Sequence, residues 1–518
     1  MNTPRVRRSI QDVQSDYDKG NKKPLEDLMR AWKGIKELPP DDLKSFFMLG
    51  GYHGEPFRGA GWGNSSYWGG YCNHGNVLFP TWHRVYLLKI EEALRSIPGC
   101  QDVVLPFWDE TSDESTFKGL PRALTQETFV LDGKTIPNPL RSFVFNKGIT
   151  DNINGDNPNY SKPAGYETVR YPLSGLVGSD ADRAKTKEHN AQFPNYESNV
   201  ALLDQNIARW LTSQVVVNGQ VISTNVAGKY KACLDAPNYT VFSNTTSAAQ
   251  WNENLPGGGV PIVPLESPHN SMHLAVGGFD APGFDASPIA GANGDMGEND
   301  TAGLDPIFYF HHCFVDRVFW LWQKRHGFTD RLEVLPEYPG TNSVDSQGPT
   351  PGTPANSWLT LDSPLNPFKK GDGAAYTSRD CIQIETQLGY TYGPGSLDGP
   401  VERMFRGQDS GAKTVRVSGI NRAPIRGSFL VSVFATLGGK RQHVGTEAVL
   451  SRWNVQYCAN CQTHLEVKAF VGLHGLQAGS SPNDFDVEIR TRDGVLGTGH
   501  ARSIAGAPGQ RLFRIEVR

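Results

Sequence analysis

DPIFYFHHCFVDRVFWLWQKRH, residues 305–326, reads as one long helix. Asp305 offers a carboxylate to the free amides of the first turn, and Pro306 suits the first helical position. The segment is apolar on most faces, so it is buried, and it carries His311 and His312 into the core. A second helix, beginning after Pro268, sets His269 and His273 four residues apart and hence on one face. Near the front of the chain, PLEDLMRAWKGIKEL and PPDDLKSFFMLGG (residues 24–51) are two helical patterns, the second closed by glycines, and His53 follows that stop. PTWHRVYLLKIEEALRSIPG, from Pro80, is a further helix with His83 in its first turn and Pro98 and Gly99 at its end.

With His74, these histidines form two triads: His53, His74 and His83, and His269, His273 and His312. One buried histidine is ordinarily explained by a hydrogen bond. Three neutral imidazoles per ion, without carboxylate or thiolate beside them, suit copper or zinc rather than iron or calcium. Such ligands leave copper free to cycle between Cu(I) and Cu(II), and two such sites together make a dinuclear centre with room for dioxygen.

At 518 residues the chain exceeds one ordinary core, so two or three domains are expected. Fifty Lys and Arg against 54 Asp and Glu leave a net charge of −4, which argues against nucleic acid or an anionic membrane as partner and for a small molecule. Nothing in the sequence sets an oligomeric state. MNTPRVRRSIQDVQSDYD has no apolar stretch behind its basic residues, and no later segment reads as spanning a bilayer, so a soluble, cytoplasmic chain is expected. Seven mostly isolated cysteines argue against a disulfide framework. After Tyr392 the pattern changes: TVRVSGI, SFLVSVFATL, LEVKAFVGL, DVEIRTR and LFRIEVR alternate apolar and polar residues and predict a separate antiparallel β-domain. The expected division is residues 1–395 and 410–518.

His74-GNVL-Phe79-Pro80-Thr81-Trp82-His83-Arg84, followed by Leu87 and Glu91, resembles position by position the first copper signature of the family of tyrosinases, catechol oxidases and molluscan haemocyanins. Asp305 to His312, closing on Asp316-Arg317, resembles the second. The likeness covers roughly residues 1–393. It implies a mainly α catalytic domain, a four-helix bundle holding two copper ions among long loops, with O2 as co-substrate and small phenols as substrates. It places the ligand at His312, with His311 pointing elsewhere, and leaves Asp316 either to orient an imidazole or to pair with Arg84 or Arg317. Tyr390-Thr391-Tyr392 resembles the motif that ends the family's catalytic domain, against which an arginine, here Arg7 or Arg8, packs. The remaining His189, His326, His443 and His500 are read as solvated or capping residues.

The same likeness implies a thioether between Cys72 and His74, or else Cys72 is an ordinary buried thiol. Glu266 matches the family's water-holding glutamate and Asn270 an asparagine found in monophenol-active members; the competing reading makes them first-turn helix residues. Leu274 is expected to line the pocket. Residues 410–518 resemble, less specifically, the β-rich shielding domain of fungal tyrosinases, an antiparallel β-sandwich lid in which Trp453 or Leu450 would plug the site and leave the enzyme latent. Cys458-Ala-Asn-Cys461, with His464 behind it, suits copper delivery, a disulfide or, less well, zinc. The expected activity is ortho-hydroxylation of monophenols and oxidation of o-diphenols to o-quinones. The alternatives are a catechol or o-aminophenol oxidase without the first step, or a haemocyanin-like oxygen carrier.

Overall fold

A computed structural model of the protein describes residues 3–54, 70–150, 161–175, 178–217, 220–223, 225–256, 259–283, 289–343, 353–354, 356–399, 413–453, 466–473, 481–499 and 513–518. The elements that build the site are strand β1 (Arg5–Arg7) and helices α1 (Lys23–Glu37), α2 (Phe46–Gly54), α3 (Phe79–Arg95), α4 (Tyr196–Thr212), α5 (Thr245–Glu253), α6 (Glu266–Gly277) and α7 (Ile307–His326), followed by strand β2 (Tyr390–Tyr392). Seven further strands follow: β3 (Thr414–Asn421), β4 (Phe429–Leu437), β5 (Lys440–Val449), β6 (Glu466–Gly472), β7 (Phe485–Thr491), β8 (Gly494–Gly499) and β9 (Arg514–Val517). The molecule thus has a helical region and a β-rich C-terminal region. No helix among the described residues is long and apolar enough to cross a membrane.

Helical periodicity decides the first region. In α1, Leu25, Leu28, Met29, Trp32 and Ile35 recur at three- and four-residue spacing and are all buried. Trp32 stacks on Phe310 of α7 at 5.9 Å between ring centroids, and truncating a side chain of that size in a core costs about 3–5 kcal/mol. Helix α7 is buried along most of its length and stops at Gly327, whose left-handed φ of 71° lets the Phe328 amide return to the Gln323 carbonyl at 2.8 Å.

Three element boundaries differ from those the sequence suggests. The glycines Gly50 and Gly51 do not end a helix; they lie inside α2, and His53 occupies its last turn. A Cβ on Gly50 would stand 2.6 Å from the Gly303 carbonyl oxygen, and one on Gly54 would stand 1.7 Å from that of Asn299, so these glycines allow α2 to press against residues 299–303. Helix α6 starts at Glu266 rather than after Pro268, because proline is tolerated throughout a first turn. Asp305 reaches the Ile307 amide at 3.1 Å, but its two oxygens mainly receive Arg170 Nε and Nη2 at 2.8 and 2.7 Å, so it is a buried ion-pair partner before it is a cap.

The β-rich region holds two antiparallel sheets, one ordered β6-β3-β9 and the other β5-β4-β7-β8. Val415 and Val417 of the first and Phe429, Val431, Val433, Val487 and Ile489 of the second share one hydrophobic cluster. Leu430, Ala448, Leu450 and Trp453 instead join the large cluster of the helical region, so the two regions pack together along β4 and β5. The ends of the helical region meet as well, where β1 and β2 pair in parallel with Arg5 opposite Tyr390 and Arg7 opposite Tyr392.

Arg7, not Arg8, meets the tyrosine motif: its guanidinium lies 3.6 Å from the Tyr390 ring centroid and bonds Tyr392 Oη and Glu91. Arg8 pairs with Asp16 at the surface. Asp316 receives Arg84 Nε on one oxygen and the hydroxyls of Tyr390 and Tyr392 on the other, each at 2.6 Å. It is therefore the centre of a structural ion-pair network with Arg84, while Arg317 pairs with Asp398.

Candidate dinuclear metal site

The four helices α2, α3, α6 and α7 deliver five of the six histidines, and the segment before α3 delivers His74. Within the first triad the ring centroids of His53, His74 and His83 lie 5.2–5.6 Å apart. Within the second, those of His269, His273 and His312 lie 4.5–5.5 Å apart. The triads adjoin: His83 stacks on His312 at 4.4 Å, and His74 lies 5.6 Å from His269. All six rings are buried.

Backbone carbonyls orient the rings. His53 Nδ1 faces the Asn299 oxygen at 3.2 Å, His83 Nδ1 that of Phe79 at 2.8 Å, and His273 Nδ1 that of Met296 at 2.8 Å. A carbonyl can only accept, so each Nδ1 carries the proton and each Nε2 presents a lone pair to the shared space. The Asn270 amide oxygen does the same for His269, 2.9 Å from its Nδ1. Phe308 wedges the set, 4.0 Å from His312 and 4.7 Å from His53 between centroids.

Among the described residues, the nitrogens aimed inward either lack a partner or meet only one another. His53 Nε2, both nitrogens of His74 and His83 Nε2 are buried without a hydrogen bond, while His269 Nε2 and His273 Nε2 lie 3.2 and 3.3 Å from His312 Nε2. Orphaned buried nitrogens are costly unless something binds them. Burial, reinforced by the neighbouring imidazoles, holds His53, His74, His269 and His312 well below the ordinary histidine pKa, and His83 is brought down to about 3. Six neutral, convergent imidazoles are a donor set suited to two ions of the copper or zinc type.

Other side chains complete the surroundings. Cys72 Sγ and a ring nitrogen each from His53 and His74 lie within 4.8 Å of one another. His311 stays at the cluster rather than pointing away: one nitrogen each of His269, His273, His311 and His312 falls within 4.8 Å of the others. Its Nδ1 lies 2.5 Å from Oε1 of Glu110, a fully buried acid that sequence reasoning passed over. The cue was an Asp-Glu pair closing the apolar run VVLPFW.

Beside the triads is a cavity of about 240 Å³, lined on the helical side by His74, Glu266 and Asn270 and on the other by Arg422, Glu447 and Leu450 of the C-terminal region. Glu266 is buried, and this desolvation pushes its pKa up. Its Oε1 accepts the Gly75 amide at 2.7 Å, and its Oε2 accepts the Thr245 amide and hydroxyl at 2.8 and 2.9 Å, so it also ties α6 to the His74 segment and to α5. Leu450 lines this cavity, whereas Trp453 packs near Arg426 and Arg492 with its amide on Asp300. Leu274 does not line it; it lies fully buried in the helical core, because the C-terminal half of α6 is packed against α4, where Asn206 bonds the Ala275 carbonyl at 3.0 Å.

Two of the histidines read as solvated or capping are buried, not solvated: His189 bonds the Pro172 carbonyl at 2.7 Å and His443 bonds Thr446 Oγ1 at 2.6 Å. His326, in the last turn of α7, bonds the Leu234 carbonyl at 2.9 Å. Cys458, Cys461, His464 and His500 lie outside the described residues.

A family model described as the common central domain of tyrosinase matches residues 43–325, which span both triads. The chain is 56% identical over 496 residues to a tyrosinase of Hahella sp. strain CCB-MM4, covering 91% of this chain and 89% of that one. It is 48% identical over 544 residues to a tyrosinase of Aspergillus oryzae, covering 100% and 96%. Among solved structures, a tyrosinase from Burkholderia thailandensis at low pH superposes with a TM-score of 0.85 at 52% identity, covering 99% of this chain and 100% of that one. With both signatures, the convergent imidazoles and this likeness along its whole length, the chain belongs to the tyrosinase family.

Proposed function

We propose that the protein is a tyrosinase, which hydroxylates monophenols at the ortho position and oxidises o-diphenols to o-quinones with O2. The observation that carries this reading is the pair of adjoining buried triads: among the described residues His53 Nε2, both nitrogens of His74 and His83 Nε2 have no partner, and His269 Nε2 and His273 Nε2 meet only His312 Nε2. His53, His74 and His83 would hold one copper ion and His269, His273 and His312 the other. When bound, the copper pair supplies reversible electron transfer with dioxygen.

The protein's own part is orientation and proton handling. The carbonyls of Asn299, Phe79 and Met296 keep three imidazoles in the ligating tautomer. A free phenol has a pKa near 10, so hydroxylation needs an acceptor for its proton. Glu266 and Asn270, on the cavity wall, would hold a water that takes it. Cys72 would join the His74 ring through a thioether, a two-electron oxidation that removes the thiol and one ring hydrogen and for which copper and O2 at the site would be the acceptor, and the bond would then hold that ring fixed through turnover.

The domain reading is that residues 1–395 form a four-helix bundle around the metals and residues 410–518 a β-sandwich lid. Leu450, which lines the cavity from the C-terminal region, would be the plug, so removal of the lid should raise the rate. The deciding experiment offers tyrosine and dihydroxyphenylalanine to the copper-loaded protein. Turnover of both supports the proposal, turnover of the diphenol alone makes it a catechol oxidase, and a stable oxygenated spectrum without quinone makes it a carrier.

A further inference from the structure

The cavity beside the triads has a second wall, and one charge on that wall is unbalanced. Arg422, just after β3, lines the same cavity as His74, Glu266 and Asn270. Its Nη2 donates to Ser451 Oγ at 2.8 Å, its Nε is buried without a partner, and no carboxylate pairs with it among the described residues. Three carboxylates line the same cavity, and each is engaged elsewhere: Glu266 accepts the Gly75 and Thr245 amides, Glu447 accepts Ser267 Oγ at 2.9 Å, and Glu466 accepts the Gly419 amide at 2.8 Å, while Lys468 pairs with Glu253 at 3.0 Å and nearby Arg452 with Asp300 at 3.2 Å. Burial, together with the nearby Arg452 guanidinium, pulls the pKa of Arg422 down to about 10. A poorly solvated guanidinium without a counter-ion is costly, and its planar fork matches a carboxylate better than any other anion-binding side chain does.

We propose that Arg422 is the binding site for a carboxylate carried by the substrate, so that the enzyme selects phenols with an acid group on a short aliphatic arm. The ring would lie toward His74 and Asn270 and the carboxylate would reach Arg422 across the cavity. At about 240 Å³ the space suits one substituted ring rather than a multi-ring phenol. Part of the specificity is then contributed by the C-terminal region, which is a component of the substrate site and not only its cover. The inference rests on the phenol-oxidase reading above.

The test compares 3-(4-hydroxyphenyl)propanoate with its primary amide, which has the same shape and no charge. On the full-length copper-loaded protein, kcat/KM for the acid should exceed that for the amide by on the order of tenfold. Arg422→Gln should remove that preference through KM while changing the amide by less than about twofold, and Arg422→Lys, which keeps the charge but not the fork, should keep only part of it. Equal losses for both compounds would mean that Arg422 merely holds Ser451, and an unchanged preference would mean that the acid binds elsewhere; either result overturns the proposal. Calorimetric binding of the two compounds without oxygen separates the two readings. Preference for the acid without turnover would sink the enzyme assignment alone, and turnover without preference would sink the Arg422 assignment alone.

Discussion

Arg452 donates from Nη1 to the carbonyl oxygen of Gly54, 2.7 Å away, and so links the C-terminal region to the residue that follows His53. The same nitrogen lies 3.2 Å from Asp300 Oδ1, and Asp300 follows Asn299, whose carbonyl orients His53. Asp300 is buried, and desolvation raises its pKa despite the opposing arginine. Arg452→Gln removes the only cation paired with this carboxylate among the described residues. The expected cost is about 3 kcal/mol or more, read as a lower Tm, with copper lost first from the His53 triad. A variant that melts with the parent and keeps its full copper content would show that the contact is incidental.

Glu266→Gln keeps the shape of the side chain and some of its contacts while removing the proton acceptor. Tyrosine hydroxylation should fall by on the order of 100-fold or more, with catechol oxidation much less affected. Parallel assays on tyrosine and dihydroxyphenylalanine check this, and equal losses would reassign Glu266 to the purely structural tie it makes between Gly75 and Thr245.

Cys72 predicts a mass. With a thioether to His74 the intact protein weighs two hydrogens less than its composition requires, and reductant does not restore them. Mass spectrometry of the peptide containing Cys72 and His74 measures the difference, and the full calculated mass would leave Cys72 as a plain buried thiol.

Glu253 of α5 gathers three cations of the C-terminal region: Arg416 at 2.8 Å, Lys468 at 3.0 Å and Arg518 at 2.9 Å. Burial opposes its ionisation, but the hydrogen bonds from Arg416 and Lys468 prevail and bring its pKa to about 2. The folded pKa is depressed, so the stabilisation is fully present above the ordinary glutamate value of about 4.3 and is lost as pH falls through about 2. Docking of the two regions should therefore be constant from neutral pH to about 5 and weaken below about 4. Limited proteolysis near residue 400, followed across this range, reads the docking. In Glu253→Gln the cleavage should be faster at neutral pH and should change less on acidification.

Much of the metal site was legible because its chemistry is carried by residue type and spacing. His269 and His273 share a helix face by arithmetic alone, and His83 and His312 stand in helices whose starts are marked by proline. What holds those rings was not legible, because Asn299, Phe79 and Met296 act through backbone carbonyls and any side chain would serve. The glycines of α2 misled for a related reason: they resemble a helix stop, and only the closeness of residues 299–303 shows that they are there to be thin. Arg422 stands out by the lack of a counter-ion in the folded chain, which no local pattern marks, and the Asp-Glu pair after VVLPFW marks Glu110 as an acid beside the core without showing that it meets His311. In the C-terminal region, patterning marked five of the seven strands, although β4, between the second sheet's core and the helical region, is buried on both faces.

The parallel pairing of Arg5–Arg7 with Tyr390–Tyr392 sets the order in which the molecule can be finished. While the chain leaves the ribosome, Arg7, Glu91 and Asp316 are made long before the two phenolic rings that complete their network. A nascent chain shorter than about 390 residues lacks that clasp, so its helices cannot be sealed from either end, and closure waits on a contact of very large sequence separation. The helical region is therefore closed at this clasp only when its first and last strands have met.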